Sequence, residues 1–155
     1  MNETAACAGA DPRLAFVIDD DARVSAFVAA ALSEQGIGVE SFQTAKAALN
    51  ALDRADPAVI FLDVALLQSD AIDVLRGLGE RQYRGVVQLM SGGNLSLLQA
   101  VQRIGVRHRV TLGLPLRKPV SREAIAQVIA SIGFPTTLPQ PETTAAIGPA
   151  SPGRE

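Results

Sequence analysis

Ala58-Val59-Ile60-Phe61-Leu62-Asp63 is an unbroken run of apolar residues, two of them β-branched, that stops on a carboxylate. No side chain before the aspartate can hydrogen-bond water. The run therefore reads as a strand covered on both faces, as in a parallel sheet with helices above and below. Asp63 then stands at the carboxyl end of a central strand, where open α/β sheets gather their ligands. A turn that merely begins at Asp63 is the plainer alternative, and the segments on either side decide between the two.

Upstream, Leu14-Ala15-Phe16-Val17-Ile18 is a second run of the same kind, and it ends on Asp19-Asp20-Asp21. Val24, Phe27, Val28, Ala31 and Leu32 then recur at helical spacing over 22–35, the acidic cluster lies by the positive helix start, and Gly36 stops the helix. A strand is predicted over 37–42. Thr44 caps a helix with Ala47, Ala48 and Leu52 inward, and Asp56-Pro57 ends it. Downstream of Asp63, a loop through Leu66-Leu67-Gln68-Ser69 leads to a helix over 70–82, buried through Ile72, Val74, Leu75 and Leu78. Val86-Val87-Gln88-Leu89-Met90 is the fourth strand and runs into Ser91-Gly92-Gly93. A helix over 94–104 turns Leu95, Leu98, Val101 and Ile104 inward and closes at Gly105. The fifth strand, over 110–116, meets Arg117-Lys118-Pro119, and Ser121 caps a last helix to Ile132 with Ile125, Val128 and Ile129 inward.

This alternation predicts an α/β fold: a doubly wound, five-stranded parallel sheet with helices on both faces and right-handed crossovers. The expected organisation is a flexible leader at 1–12, one domain at 13–133, and a disordered Pro-rich tail or linker at 134–155. Composition agrees. With 155 residues, 48% of them hydrophobic, five Phe and no Trp, the chain can bury one largely aliphatic core. A net charge of −2 argues against a general binder of nucleic acid or anionic membrane. Cys7 has no second cysteine to pair with, no run reaches membrane-spanning length, and no signal-peptide pattern opens the chain, so a cytoplasmic location is expected.

On such a sheet the strand ends carrying Asp19 and Asp20, Asp63, Ser91 and Lys118 gather along one edge. Crowded carboxylates have raised pKa values unless a cation lies among them. Oxygen ligands without histidine or thiol select a hard ion, Mg²⁺ foremost. A divalent ion beside a carboxylate, an ammonium and a hydroxyl is an arrangement for phosphoryl transfer, with Asp63 as in-line nucleophile.

The motifs Val17-Ile18-Asp19-Asp20-Asp21, Phe61-Leu62-Asp63, Leu89-Met90-Ser91-Gly92 and Leu116-Arg117-Lys118-Pro119, in this order, resemble those of receiver domains of two-component response regulators. The resemblance runs from about residue 14 to 132 and implies the flavodoxin-like receiver fold. It further implies that Asp63 accepts a phosphoryl group from a histidine kinase or phosphotransfer protein. Asp20, Asp63 and the backbone carbonyl of Ala65 would bind Mg²⁺ directly, Asp19 chiefly through water. Ser91 and Lys118 would contact the phosphoryl oxygens, and the Lys118-Pro119 peptide would be cis. Such domains are signalling modules rather than enzymes, with self-phosphorylation and self-dephosphorylation their only chemistry. Their expected partners are the kinase, an effector domain or protein and, as one option, a second copy, with neither nucleic acid nor membrane bound directly.

Departures are equally visible. The loop after Asp63 lacks the family's usual Met-Pro and Asp-Gly, and Pro115 stands where the family usually has a switching aromatic. No aromatic lies between Tyr83 and Phe134, so output is expected through rearranged loops or dimerisation. Gly92 leaves water access to the phosphoaspartate open, which implies a short-lived mark. Two other readings stay open: a degenerate receiver that serves only as an interaction module, and a haloacid-dehalogenase-type phosphatase using Asp19 and Asp21. The latter lacks an acidic pair after the lysine. Arg103, Arg107, His108, Arg109, Arg117 and Arg122 give the last third of the domain a basic face, read first as solvated surface and second as a docking patch for an acidic partner.

Overall fold

The computed structural model describes residues 11–66 and 70–132. Eleven elements follow in order: β1 (Asp11–Ile18), α1 (Ala22–Glu34), β2 (Gly38–Phe42), α2 (Ala45–Leu52), β3 (Pro57–Asp63), α3 (Asp70–Glu80), β4 (Val86–Ser91), α4 (Leu95–Arg107), β5 (Thr111–Leu112), β6 (Leu116–Arg117) and α5 (Arg122–Ile132). The strands form one parallel sheet in the order β2-β1-β3-β4-β5, with β6 also paired to β4. The predicted five-stranded doubly wound architecture is what folds, with the fifth position divided into two pieces. Residues 1–10, Leu67 to Ser69 and 133–155 lie outside the described residues, and with them most of the expected leader, the loop after Asp63 and the tail.

Period-two alternation distributes each strand between two cores. Phe16, Ile18, Ile60, Leu62, Val87 and Leu89 pack with the apolar faces of α2, α3 and α4. Ala15, Val17, Val59, Phe61 and Met90 point the other way, against α1 and α5. Because β1 and β3 are buried on both faces, neither can slip register without exposing a full set of apolar side chains.

The caps fall where the sequence placed them. Thr44 Oγ1 accepts from Ala47 N at 3.2 Å, Ser121 Oγ from Ala124 N at 3.0 Å, and Gly36 leaves α1 in the left-handed region at φ 80°. Other expectations need correction. Ala47 faces solvent, and Ala45, Ala48 and Ala51 form the buried side of α2. Gly105 does not close α4. It lies buried within the helix, where a Cβ would come within 2.9 Å of Leu112, and the turn falls instead at Arg109, at φ 63°. Leu95 stands 63% exposed rather than inward. β1 begins at Asp11, three residues before the expected strand.

The fifth strand is not continuous. Gly113 N makes the last ladder bond, to Val87 O at 3.0 Å, and Pro115 has no N–H with which to continue. Gln88, buried in mid-β4, turns its amide into the gap and donates through Nε2 to Leu114 O. A Cβ at Gly113 would lie 2.5 Å from Gln88 Oε1, so this side chain needs glycine beside it.

Tyr83 closes the opposite end of β3 by donating from its hydroxyl to Pro57 O at 2.9 Å. Burial, and then the charge of Asp56, push its pKa up. The neutral phenol is thus favoured by the fold. Its contribution is fully present below the unfolded tyrosine value of about 10 and is lost as pH rises through the higher folded value. With one Tyr and no Trp in the chain, phenolate absorbance reports this residue alone. In an alkaline titration it should appear only together with loss of helical circular dichroism. Ionisation in an intact fold would contradict the burial argument.

Candidate functional site

β1, β3 and β4 all end at the same sheet edge, and each delivers one polar residue there as its apolar run stops. Asp19 follows Ile18 directly. Its N–H extends the β1-β2 ladder by bonding Phe42 O at 3.0 Å, and its carbonyl accepts from the buried Ser25 hydroxyl at 3.3 Å. This holds Asp19 with no solvent exposure at all. Asp63 ends β3 at 3% exposure, its Oδ1 accepting from Ala65 N at 3.0 Å. Asp20 lies nearer solvent, and one oxygen from each of Asp19, Asp20 and Asp63 falls within 4.8 Å of the others.

Lys118 arrives from β6. The pairing of Ser91 with Arg117, and the bond from Lys118 N to Ser91 O at 2.8 Å, bring its backbone to the end of β4. Its Nζ then donates to Asp19 Oδ2 at 2.8 Å and lies 3.3 Å from Asp63 Oδ1. The Lys118-Pro119 peptide is cis. Ser91 Oγ accepts from Gly93 N at 3.2 Å, and a Cβ added at Gly92 would meet nothing within 4 Å, so the space beside Ser91 is open.

The electrostatics follow from burial. Desolvation raises the Asp63 pKa; the Ala65 N–H opposes it, the Asp19 charge adds to it, and Lys118 offsets part. Burial alone would lower the Lys118 pKa, but its hydrogen bond to Asp19 and the charges of Asp63 and Asp19 prevail and raise it. One ammonium thus serves two buried carboxylates with a third beside them. The donor set is all oxygen and carries an excess of negative charge, which fits a hard divalent ion such as Mg²⁺.

The structure brings together every strand-end residue singled out from sequence: Asp19, Asp20 and Asp63 in one cluster, Lys118 bridging two of them, and Ser91 on the adjoining strand end. Asp21 stands apart. Its carboxylate caps α1 by accepting from Arg23 N at 2.9 Å, and its own N–H donates to Asp19 Oδ1 at 2.8 Å. A phosphatase reading built on Asp19 and Asp21 therefore loses its second carboxylate. Sequence reasoning passed over Ser25 and Gln88. Gln88 was detectable, as the one polar residue inside the run Val86 to Met90, because a buried amide must find a partner. Ser25 gave no such signal. Pro115 lines a cavity of about 360 Å³ beside Ser91, with Leu95, Leu98, Leu116 and Arg117 among the other walls, and among the described residues no aromatic ring lines it.

No helix among the described residues is long and apolar enough to cross a membrane. No curated protein matches the chain. Among solved structures, it is similar to a response regulator from Colwellia psychrerythraea at 24% identity and a TM-score of 0.68, covering 79% of this chain and 97% of that one. The beryllofluoride-activated NtrC4 receiver domain dimer is similar at 22% identity and a TM-score of 0.66, covering 79% and 96%. NtrX from Brucella abortus in complex with ADP is similar at 24% identity and a TM-score of 0.67, covering 77% of this chain, which spans only 26% of NtrX. The family model for the response regulator receiver domain matches residues 15–130. A match of that extent, on a sheet ordered 2-1-3-4-5 whose carboxyl edge carries an acidic cluster and a bridging lysine, makes this chain a member of the response regulator receiver domain family.

Proposed function

We propose that this domain accepts a phosphoryl group on Asp63, in a Mg²⁺-dependent reaction, from the phosphohistidine of a histidine kinase or phosphotransfer protein. The observation that carries the reading is Lys118 Nζ, placed 2.8 Å from Asp19 and 3.3 Å from Asp63 within a buried acidic cluster. A carboxylate oxygen of Asp63 attacks phosphorus, the P–N bond breaks, and the electron pair leaves with the imidazole. Asp63 Oδ1 is held by Ala65 N–H and Lys118, which orients the carboxylate for attack. Lys118 and the Ser91 hydroxyl contact the phosphoryl oxygens. Asp19, Asp20, Asp63 and the Ala65 carbonyl would hold the metal, which when bound neutralises charge on the transferring oxygens. The domain is a substrate of its kinase rather than an enzyme, and it works in the cytoplasm as a unit over 13–133, with 134–155 as a linker or tail. Its signal leaves by conformational change or partner binding through the interrupted β5-β6 segment, since the cavity beside Ser91 has Pro115 in place of a ring.

Incubation with Mg²⁺ and acetyl phosphate, followed by intact mass, tests this. One adduct of about 80 Da is expected on the parent and none on Asp63→Asn. No adduct on a parent that still binds Mg²⁺ would favour a degenerate receiver acting only as an interaction module.

A further inference from the structure

The three carboxylates of the acidic cluster are not held equally. Asp19 is fixed through both oxygens, Oδ1 accepting from Asp21 N at 2.8 Å and Oδ2 from Lys118 Nζ at 2.8 Å. Asp63 is fixed through Oδ1, which accepts from Ala65 N at 3.0 Å and lies 3.3 Å from Lys118 Nζ. Asp20 has no such clamp. Among the described residues no hydrogen bond or ion pair reaches its carboxylate, yet one of its oxygens falls within 4.8 Å of those of Asp19 and Asp63. Its direction is therefore set by its own backbone, and first by the peptide that joins it to Asp19.

Ser25 holds that peptide. The carbonyl oxygen of Asp19 accepts from the Ser25 hydroxyl at 3.3 Å, and no turn or loop N–H among the described residues bonds to it. A helical serine commonly bonds back to the carbonyl four residues earlier. Here that carbonyl, of Asp21, takes the Ser25 N–H at 3.1 Å, while the hydroxyl reaches two residues further, to the end of β1. Ser25 thus ties down the chain on both sides of Asp20, from a buried position in the first turn of α1. Alanine would fill this place with higher helix propensity, so helix formation does not account for the hydroxyl.

We propose that Ser25 is a positioning residue for Asp20 as a metal ligand, an inference that rests on the Mg²⁺-dependent reading above. By fixing the Asp19-Asp20 peptide, its hydroxyl presents the Asp20 carboxylate to the cluster in one orientation. Without it the peptide can turn, and binding must then order a free side chain. The loss falls unevenly between ions. Mg²⁺ demands near-octahedral geometry at short distances, whereas Ca²⁺ accepts irregular shells, so Ser25 supports the preference for Mg²⁺ as well as the affinity.

Calorimetric titration of the whole chain with Mg²⁺, and separately with Ca²⁺, tests this on the parent, Ser25→Ala, Ser25→Thr and Ser33→Ala, the last an exposed serine of the same helix. Ser25→Ala should raise the Mg²⁺ dissociation constant about tenfold, as loss of an outer-shell partner does, and the Ca²⁺ constant by no more than about threefold. Ser25→Thr keeps a hydroxyl and should return Mg²⁺ affinity to within about twofold of the parent. Ser33→Ala should change neither constant. Unchanged Mg²⁺ affinity in Ser25→Ala, an equal loss for both ions, or a threonine variant that melts like the parent but binds as weakly as Ser25→Ala would each overturn the proposal. The comparison of the two ions is internal to Ser25→Ala, so it decides the matter even should the threonine methyl disturb packing. A parent that takes up no Mg²⁺ would overturn this inference together with the metal-dependent reading. A parent that forms the phosphoryl adduct, beside a Ser25→Ala variant with the parent's Mg²⁺ affinity and ion preference, would overturn this inference alone.

Discussion

Lys118→Met is expected to lower the stability of the metal-free domain by about 3–5 kcal/mol. Methionine keeps most of the volume and removes only the ammonium. Asp19 has no solvent exposure and Asp63 only 3%, so neither carboxylate can turn to water once the 2.8 Å and 3.3 Å contacts are lost. The cost is that of two like charges left buried without a cation, which far exceeds the value of an exposed ion pair. In a domain of this size the melting temperature should fall by roughly 10 °C or more. Mg²⁺ should recover much of the loss, because an ion bound only by the folded state stabilises it by about 2.7 kcal/mol at a hundred times its dissociation constant. Thermal unfolding of parent and variant, each with chelator and with saturating Mg²⁺, provides the check. A variant within about 1 kcal/mol of the parent in chelator would mean that the carboxylates are not held as the geometry describes.

Asp63→Asn should act in the opposite direction on stability while abolishing phosphoryl uptake. Asparagine keeps the shape of the side chain, and its oxygen can still accept from Ala65 N–H. It removes a charge that burial and Asp19 both disfavour, leaving Lys118 to Asp19 alone. Metal-free Asp63→Asn should therefore melt a few degrees above the parent. The pH dependence has a definite sign. Because the folded pKa of Asp63 is raised, its favourable contribution is complete below the unfolded value of about 4 and declines as pH rises through the folded value. The difference between variant and parent should consequently grow from acid toward neutral pH and shrink again when Mg²⁺ is added. A variant no more stable than the parent at neutral pH in chelator would show that Lys118 already offsets the whole penalty.

Much of this site was legible because each piece is local. An apolar run that stops on Asp19, Asp63 or Ser91 states where a strand leaves its core, and β1 and β3 are buried on both faces as their composition requires. Helix caps at Thr44 and Ser121 were legible for the same reason, since a cap involves only the next three residues. The failures were non-local. Ala47 and Leu95 have helical spacing compatible with either side of their helix edge, and only the seating of α2 and α4 on the sheet turned them outward. Gly105 resembles a helix stop in sequence, but in the fold it makes room for Leu112, which no window around it reveals.

By itself the sequence determined which residues end the strands, hence the order of elements and the chemistry at one edge of the sheet. Periodicity and abrupt changes of polarity are properties of contiguous residues, and the alternation of helix and strand leaves the crossovers little choice. The tertiary structure alone decided that a single ammonium reaches both Asp19 and Asp63, that Asp21 serves its helix rather than the cluster, and that the fifth strand breaks around the Gln88 amide. Lys118 lies 99 residues from Asp19 along the chain, and its reach depends on β6 pairing Arg117 with Ser91. Distances of that kind are set by register between strands, where a shift of one residue would turn every side chain to the other face.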